Sequence, residues 1–171
     1  MTPEQCLRLA ILPALTLLPE RMNSAPAHAL LLAIAMQESW DLGHRRQIRG
    51  PARSLWQYEQ SGIRGVLDHP ASRTLARATC KTLLYPVETQ PDGTVTADTV
   101  LNVHQAVEHN DSLAAALARL TLWRLPTPLP PRGAPAAAWD QYIEAWRPGK
   151  PHRQPWDARY ALAWEAVGSL G

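Results

Sequence analysis

The feature that most constrains this chain is an apolar run of eight residues from Ala29 to Met36. Ser24 is a suitable N-cap before this run, Pro26 is tolerated in a first helical turn, and Gly43 breaks the pattern that follows. The sequence therefore predicts a helix from about Ser24 to Trp40. Its apolar residues occur all around the helix axis, which is typical of a helix buried on every side. The other elements must then pack around it.

The remaining periodicity is also mostly helical, and a chain of 171 residues suits one domain. We therefore predict a mainly α, single domain over residues 1–171. A small β-hairpin around the Asp92-Gly93 pair and a proline-rich surface connection near residues 125–135 are also expected. Beyond the central helix, helices are predicted at about residues 3–18, 61–67, 71–84, 97–109, 112–125, 136–146 and 155–167.

Composition excludes several classes of protein. Hydrophobic residues make up 46% of the chain and charged residues 19%, which argues against both a disordered tail and a membrane bundle. No apolar run approaches the roughly 18 residues that a membrane span needs. The N-terminal apolar run follows Glu4 and contains Pro13, so we interpret it as an amphipathic helix and not as a signal peptide. Cys6 and Cys80 are predicted to be buried free thiols.

The central helix ends in a carboxylate, Glu38, on the face that also carries Leu31, Ile34 and Ala35. Desolvation and the negative end of the helix dipole both disfavour the charged form, so we expect a raised pKa. A carboxylic acid that remains protonated near neutral pH can act as a general acid. From position alone, a structural ion pair between Glu38 and one of the nearby arginines is the favoured interpretation, and only the motifs described next reverse that preference. The candidate partners are Arg45, Arg46 and Arg53.

Two short motifs around this acid resemble the lytic transglycosylase and goose-type lysozyme family. "AIAMQES" supplies Glu38-Ser39, which corresponds to the family's catalytic Glu-Ser at the end of a core helix. "GPARSLWQYE" supplies Ser54-Leu55-Trp56-Gln57, where the family has Gly-Leu-Met-Gln. Small phage and prophage proteins of lysozyme-like appearance are similar at these motifs and at "YIEAWRPGKP". The resemblance implies a lysozyme-like fold for the domain over residues 1–171 and a catalytic role for Glu38.

The resemblance also implies a set of substrate-binding residues. Ser39 would support the acid, and Gln57 would line the sugar groove. The family's third motif has its nearest counterpart in "WDQYIEAWRPGKP". The chain has seven Trp and no Phe, and Trp and Tyr suit sugar binding because they combine a flat apolar face with a polar group. For each aromatic residue the alternative is ordinary core packing. The candidates are Trp40, Trp56, Tyr58, Tyr142 and Trp146.

The implied reaction is cleavage of the β-1,4 bond between N-acetylmuramic acid and N-acetylglucosamine in peptidoglycan. Glu38 would act as the single general acid and base, and no metal or cofactor is implied. Hydrolysis and anhydro-ring formation both remain open. Asp41, Glu59 and Asp68 are interpreted as solvated or paired groups and not as a second catalytic acid.

The arginine-rich loop after the central helix has three interpretations. It could bind murein carboxylates, hold the loop in place through ion pairs, or be solvated. His104 and His109 are five residues apart, which does not suit metal ligands on one helix face, and they are interpreted as surface residues.

Three functions are compatible with these observations. The first is a phage-associated, peptidoglycan-cleaving enzyme, made in the bacterial cytoplasm without a clear signal peptide and acting at the cell wall or within the virion. The second is a non-catalytic virion or tail protein with a lysozyme-like fold, bound to other phage proteins. The third is a nucleic-acid-binding protein, against which the net charge of only +2 and the absence of a DNA-binding motif argue.

Overall fold

The predicted central helix is confirmed. In the computed structural model, which describes residues 1–170, helix α3 (Ala25–Glu38) begins at the N-cap Ser24. Residues 29–36 are at most 1% exposed, because other elements surround the helix on all sides. The protein is mainly α-helical and forms one domain around this core. The helices of the described chain are α1 (Pro3–Cys6), α2 (Leu12–Thr16), α3, α4 (Gln60–Asp68), α5 (Arg73–Thr82), α6 (Ala97–His109), α7 (Asp111–Trp123), α8 (Pro135–Trp146) and α9 (Trp156–Gly168).

The N-terminal segment is a continuous helix that changes pitch. A π-helical turn, Leu7–Ile11, joins α1 to α2. A proline inside a helix has no N–H and clashes with the carbonyl four residues earlier, and Pro13 follows this turn directly. The wider turn of a π-helix, in which the Leu12 N–H bonds to the Leu7 carbonyl, accommodates that position. The predicted helix over residues 3–18 is therefore confirmed in outline.

A second buried helix, α7, lies beside the N-terminal segment. Its N-cap Asn110 accepts a hydrogen bond from the Leu113 N–H at 2.9 Å. The small side chains of "LAAALA" allow the helix to approach its neighbours closely. The buried Arg119 donates from Nε to the Met22 carbonyl at 3.0 Å, which ties α7 to the short 3₁₀ turn before α3.

The predicted hairpin is present in minimal form, as one antiparallel bridge between Thr89 and Val95. Gly93 occupies the left-handed position of its turn, with φ +83°. The predicted proline-rich connection near residues 125–135 is also present. The Tyr160 hydroxyl donates to the Pro130 carbonyl and holds this segment against α9. Helix α9 packs in turn along α3.

The exposure of the cysteine and histidine side chains tests further predictions made from the sequence. Cys6 and Cys80 are buried free thiols, as predicted, and burial raises the pKa of each to about 12. His109 is exposed, but the prediction that His104 is a surface residue is wrong. His104 is 3% exposed, with Nε2 2.9 Å from the Tyr58 carbonyl, because α6 turns that side against the loop after α3. None of the helices within residues 1–170 is long and apolar enough to cross a bilayer.

Candidate functional site

The chain leaves α3 through a tight left-handed turn. Trp40, Asp41 and Leu42 have φ values of 51°, 57° and 66°, an unfavourable conformation for residues with a side chain. Ser39 stabilises this turn: its hydroxyl donates to the Ala35 carbonyl at 2.6 Å and accepts from the Leu42 N–H at 3.1 Å. Glu38, the last residue of α3 before this turn, remains half-buried.

The assignment of Ser39 as a substrate-binding residue is corrected by its burial. It is 0% exposed and lies outside the groove described below. A hydroxyl at this position is engaged by the backbone of the turn, so Ser39 acts on the acid only by fixing where the helix ends.

The loop after the turn returns to α3 through Trp56. Its indole Nε1 donates to the Leu31 carbonyl at 3.0 Å, and the side chain is completely buried. The expectation that Trp56 lines the groove is therefore wrong, because the large ring fills the core beneath the loop. The next residue, Gln57, does line the groove, with φ 48° and an amide Nε2 that donates to the Ser54 carbonyl at 2.7 Å.

The arginine-rich loop is held in place by ion pairs. Arg45 forms a two-pronged pair with Asp111, with N···O distances of 2.9 and 2.6 Å. Arg53 pairs with Glu108 of α6. Two of the three arginines that could have neutralised Glu38 thus have other carboxylates as partners. Arg46 is exposed and lines the groove.

A groove of about 1190 Å³ runs past the end of α3. One side is formed by the loop after α3, with Gln57 and Tyr58, and the other by α8 and the strap, our name for residues 147–155 that join α8 to α9. Gln37 holds the strap down, since its Nε2 donates to the His152 carbonyl at 2.8 Å and its Oε1 accepts from Arg159 Nη1 at 2.9 Å. Glu38 lines the groove between these two walls.

Glu38 has a hydroxyl partner and no cationic one. The Tyr142 hydroxyl donates to Glu38 Oε1, and within residues 1–170 no Lys, Arg or His nitrogen lies within ion-pair distance of the carboxylate. Burial raises the pKa of Glu38 from 4.5 to about 6, and the hydrogen bond from Tyr142 opposes part of that rise. The raised pKa agrees with the direction predicted from the sequence. Glu38 forms no ion pair among the described residues, so the alternative interpretation of a structural ion pair is wrong.

Aromatic side chains form the wall around the acid. Tyr142 stacks on Trp156 with ring centroids 5.1 Å apart, and Trp146 donates from Nε1 to the Trp56 carbonyl at 2.9 Å. The Tyr58 hydroxyl lies 2.7 Å from Thr121 Oγ1. Tyr58, Tyr142 and Trp146 border the groove, but Tyr58 and Tyr142 are only 5% and 2% exposed and their hydroxyls bond within the protein. Of the three, the half-buried Trp146 has the most ring surface to offer a bound ligand.

Three further residues line the groove: Trp40, Glu59 and Arg124. Trp40 stands at the rim, 72% exposed. Glu59 is exposed and is the other carboxylate that lines the groove within the described chain. Arg124, at the end of α7, was not predicted at the site, because nothing in its local sequence distinguishes it from a surface arginine.

Asp41 and Asp68 are confirmed as paired groups, with Arg159 at 2.7 Å and Arg77 at 2.8 Å respectively. Within residues 1–170, His, Cys, Asp and Glu side chains form no group of three that could hold a metal ion.

No protein-family model, curated protein or solved structure matches this chain.

Proposed function

We propose that this protein cleaves the β-1,4 bond between N-acetylmuramic acid and N-acetylglucosamine in peptidoglycan, with Glu38 as the single general acid and base. The observation that carries this proposal is the environment of Glu38. Its carboxyl group lines a large groove, has no cationic partner among the described residues and accepts a hydrogen bond from Tyr142. The likeness of "AIAMQES" and "GPARSLWQYE" to the lytic transglycosylases supplies the substrate class.

The first step requires a protonated acid. With a pKa of about 6, Glu38 keeps a substantial protonated fraction at mildly acidic pH, which a solvated glutamate would not. Its proton passes to the glycosidic oxygen as the bond from that oxygen to the anomeric carbon breaks. The leaving sugar departs as an alcohol, and positive character develops at the anomeric carbon.

In the second step, the resulting Glu38 carboxylate accepts a proton. Attack by the muramic acid 6-hydroxyl closes an anhydro ring, and attack by water gives a reducing end. In either route the nucleophile's proton returns to Glu38, which restores the acid. Tyr142 holds the carboxyl group through both steps, because its hydroxyl can donate to the oxygen that bears the charge.

The test is clearing of purified murein by the wild type and by Glu38→Gln. Glutamine keeps the shape of the side chain but cannot release a proton, so we expect a loss of at least about 100-fold in rate. Equal clearing by both proteins would exclude Glu38 as the acid. No clearing by a folded wild type would contradict the proposal and favour the non-catalytic virion or tail protein.

The matched control is Glu59→Gln, at the second carboxylate of the groove. A single-acid mechanism predicts near-normal clearing by this variant. A two-carboxylate mechanism predicts a loss comparable to that of Glu38→Gln. Mass analysis of the products separates anhydro ends from reducing ends and so identifies the nucleophile.

A further inference from the structure

A second depression, about 610 Å³ in volume, adjoins the groove and shares two arginines with it. Arg124 is the C-cap of α7, and Arg147 is the C-cap of α8, where the backbone is left-handed with φ 48°. The ends of two helices therefore bring two guanidinium groups to the junction of the two spaces.

These two guanidinium groups lack acidic partners. Within residues 1–170, neither Arg124 nor Arg147 forms an ion pair, whereas Arg45 and Arg53 of the loop after α3 both do. Two carboxylates line the second depression. Asp68 is engaged by Arg77 at 2.8 Å and by Arg64 at 3.8 Å. Glu144 is exposed and has no ion pair in the described chain, so the junction has more positive than negative charge available.

Arg124 lies where its positive charge can attract an anion that enters the junction from the groove. The guanidinium lies against the backbone of α4, since a Cβ added to Gly65 would be 3.1 Å from Arg124 Nη1. Its positive charge also reaches the groove residue Tyr58. Burial raises the pKa of the Tyr58 hydroxyl, and the charge of Arg124 opposes part of that rise. Arg124 is half-buried, and a partly desolvated guanidinium attracts an anion more strongly than a fully hydrated one.

We propose that the junction of Arg124 and Arg147 is a subsite for a carboxylate on the stem peptide of peptidoglycan. This inference rests on the proposed function, because a glycan strand at Glu38 would carry peptide branches that need space beside the sugar path. The second depression offers that space, and arginine side chains bind carboxylates through paired N–H donors. In intact murein the lactyl carboxyl is amide-linked, so the free carboxylates belong to the peptide.

The test measures binding of soluble, peptide-bearing glycan fragments to the Glu38→Gln protein, which leaves the fragments uncut. Fragments are used either as isolated or after their carboxylates have been converted to amides. We expect amidation to weaken binding by about tenfold, as charge-assisted hydrogen bonds are replaced by neutral ones. Adding Arg147→Gln should weaken binding of the native fragments by about tenfold and leave binding of the amidated fragments unchanged.

Two further variants make the test specific. Glu144→Gln removes the competing carboxylate at the junction and should strengthen binding of the native fragments. Arg132→Gln removes an exposed arginine that lines neither space and should change nothing. Arg147 is exposed, so its replacement should leave the thermal unfolding temperature unchanged.

The inference is overturned if native and amidated fragments bind equally well. It is also overturned if adding Arg147→Gln to the Glu38→Gln protein leaves binding of the native fragments unchanged, or if neither form of fragment binds. This outcome is separate from that of the clearing assay. Cleavage without charge-dependent binding leaves the proposed function intact and removes the subsite. Charge-dependent binding without cleavage by the wild type retains the subsite and removes the catalytic proposal.

Discussion

Glu38 and Glu108 occupy similar positions on two helices and have different partners. Glu38 is the last residue of α3, Glu108 is the penultimate residue of α6, and both are half-buried. Glu108 pairs with Arg53, which reaches it from the loop after α3, whereas Glu38 accepts a hydrogen bond from the neutral Tyr142. A cationic partner holds a buried carboxylate in its charged form. A hydroxyl partner does so only partially, which leaves Glu38 able to gain and lose a proton.

The largest effect on stability is expected where the ion pair is broken. Arg53→Met leaves the Glu108 carboxylate, whose side chain is 13% exposed, without a counter-ion. We expect the free energy of unfolding to fall by about 3 kcal/mol, measured by denaturant titration at pH 7. The double variant Arg53→Met with Glu108→Leu should recover most of that loss, because an apolar pair needs no counter-ion. A single variant as stable as the wild type would show that the pair contributes nothing.

At Glu38, a neutral substitution is expected to raise the free energy of unfolding instead of lowering it. Its folded-state pKa of about 6 lies above the ordinary 4.5, so the native state favours the protonated group. The stability this group contributes is complete below pH 4.5 and is lost as the pH rises through 6. Glu38→Gln should therefore raise the free energy of unfolding by about 2 kcal/mol at pH 8 and leave it nearly unchanged at pH 4. Glu144→Gln, at an exposed glutamate, is the control and should show no such pH dependence.

The role of the hydroxyl partner is tested by Tyr142→Phe, for which we expect a stability loss of about 1 kcal/mol. The Tyr142 hydrogen bond lowers the pKa of Glu38, so its removal raises that pKa and keeps the acid protonated to higher pH. The descending limb of the kcat/KM profile should then move to higher pH. Tyr160→Phe is the matched control, because its hydroxyl bonds to Pro130 and not to Glu38. An acidic shift in Tyr142→Phe would contradict this role of the hydroxyl.

The smallest effect is expected at the more exposed pair of Arg45 and Asp111. The Arg45 side chain is 40% exposed, so water and salt screen its attraction to Asp111. We expect Arg45→Gln to lower the free energy of unfolding by less than about 1 kcal/mol, and by less still in 1 M salt. A loss as large as that for Arg53→Met would mean that exposure does not separate the two pairs.

The main elements of the fold could be predicted from the sequence because the signals for them are local. The boundaries of α6, predicted at residues 97–109, agree with the structure, and α3 differs from its prediction only at its ends. Trp56 and His104 show where local signals fail. The tryptophan of the stretch Ser54-Leu55-Trp56-Gln57 and a histidine predicted to lie on a helix surface are both buried, because other segments cover them.

The arginines illustrate the same limit. Arg45, Arg46 and Arg53 were equally good candidates to neutralise Glu38, and only their distances in the folded chain show that Arg45 and Arg53 pair with α7 and α6. Arg124 carries no sequence signal at all, yet it lies where the two spaces meet.

By itself, the sequence determined that an apolar helix lies at the centre of this protein and ends in a carboxylate, because the periodicity of side chains and the positions of Ser24 and Gly43 are properties of adjacent residues. Only the tertiary structure decided which groups surround that carboxylate. Tyr142 reaches Glu38 from 104 residues away, whereas Arg45 and Arg53, much nearer in sequence, pair with other acids. The pKa of a buried acid depends on what lies within a few ångströms in space, and separation along the chain does not fix that distance.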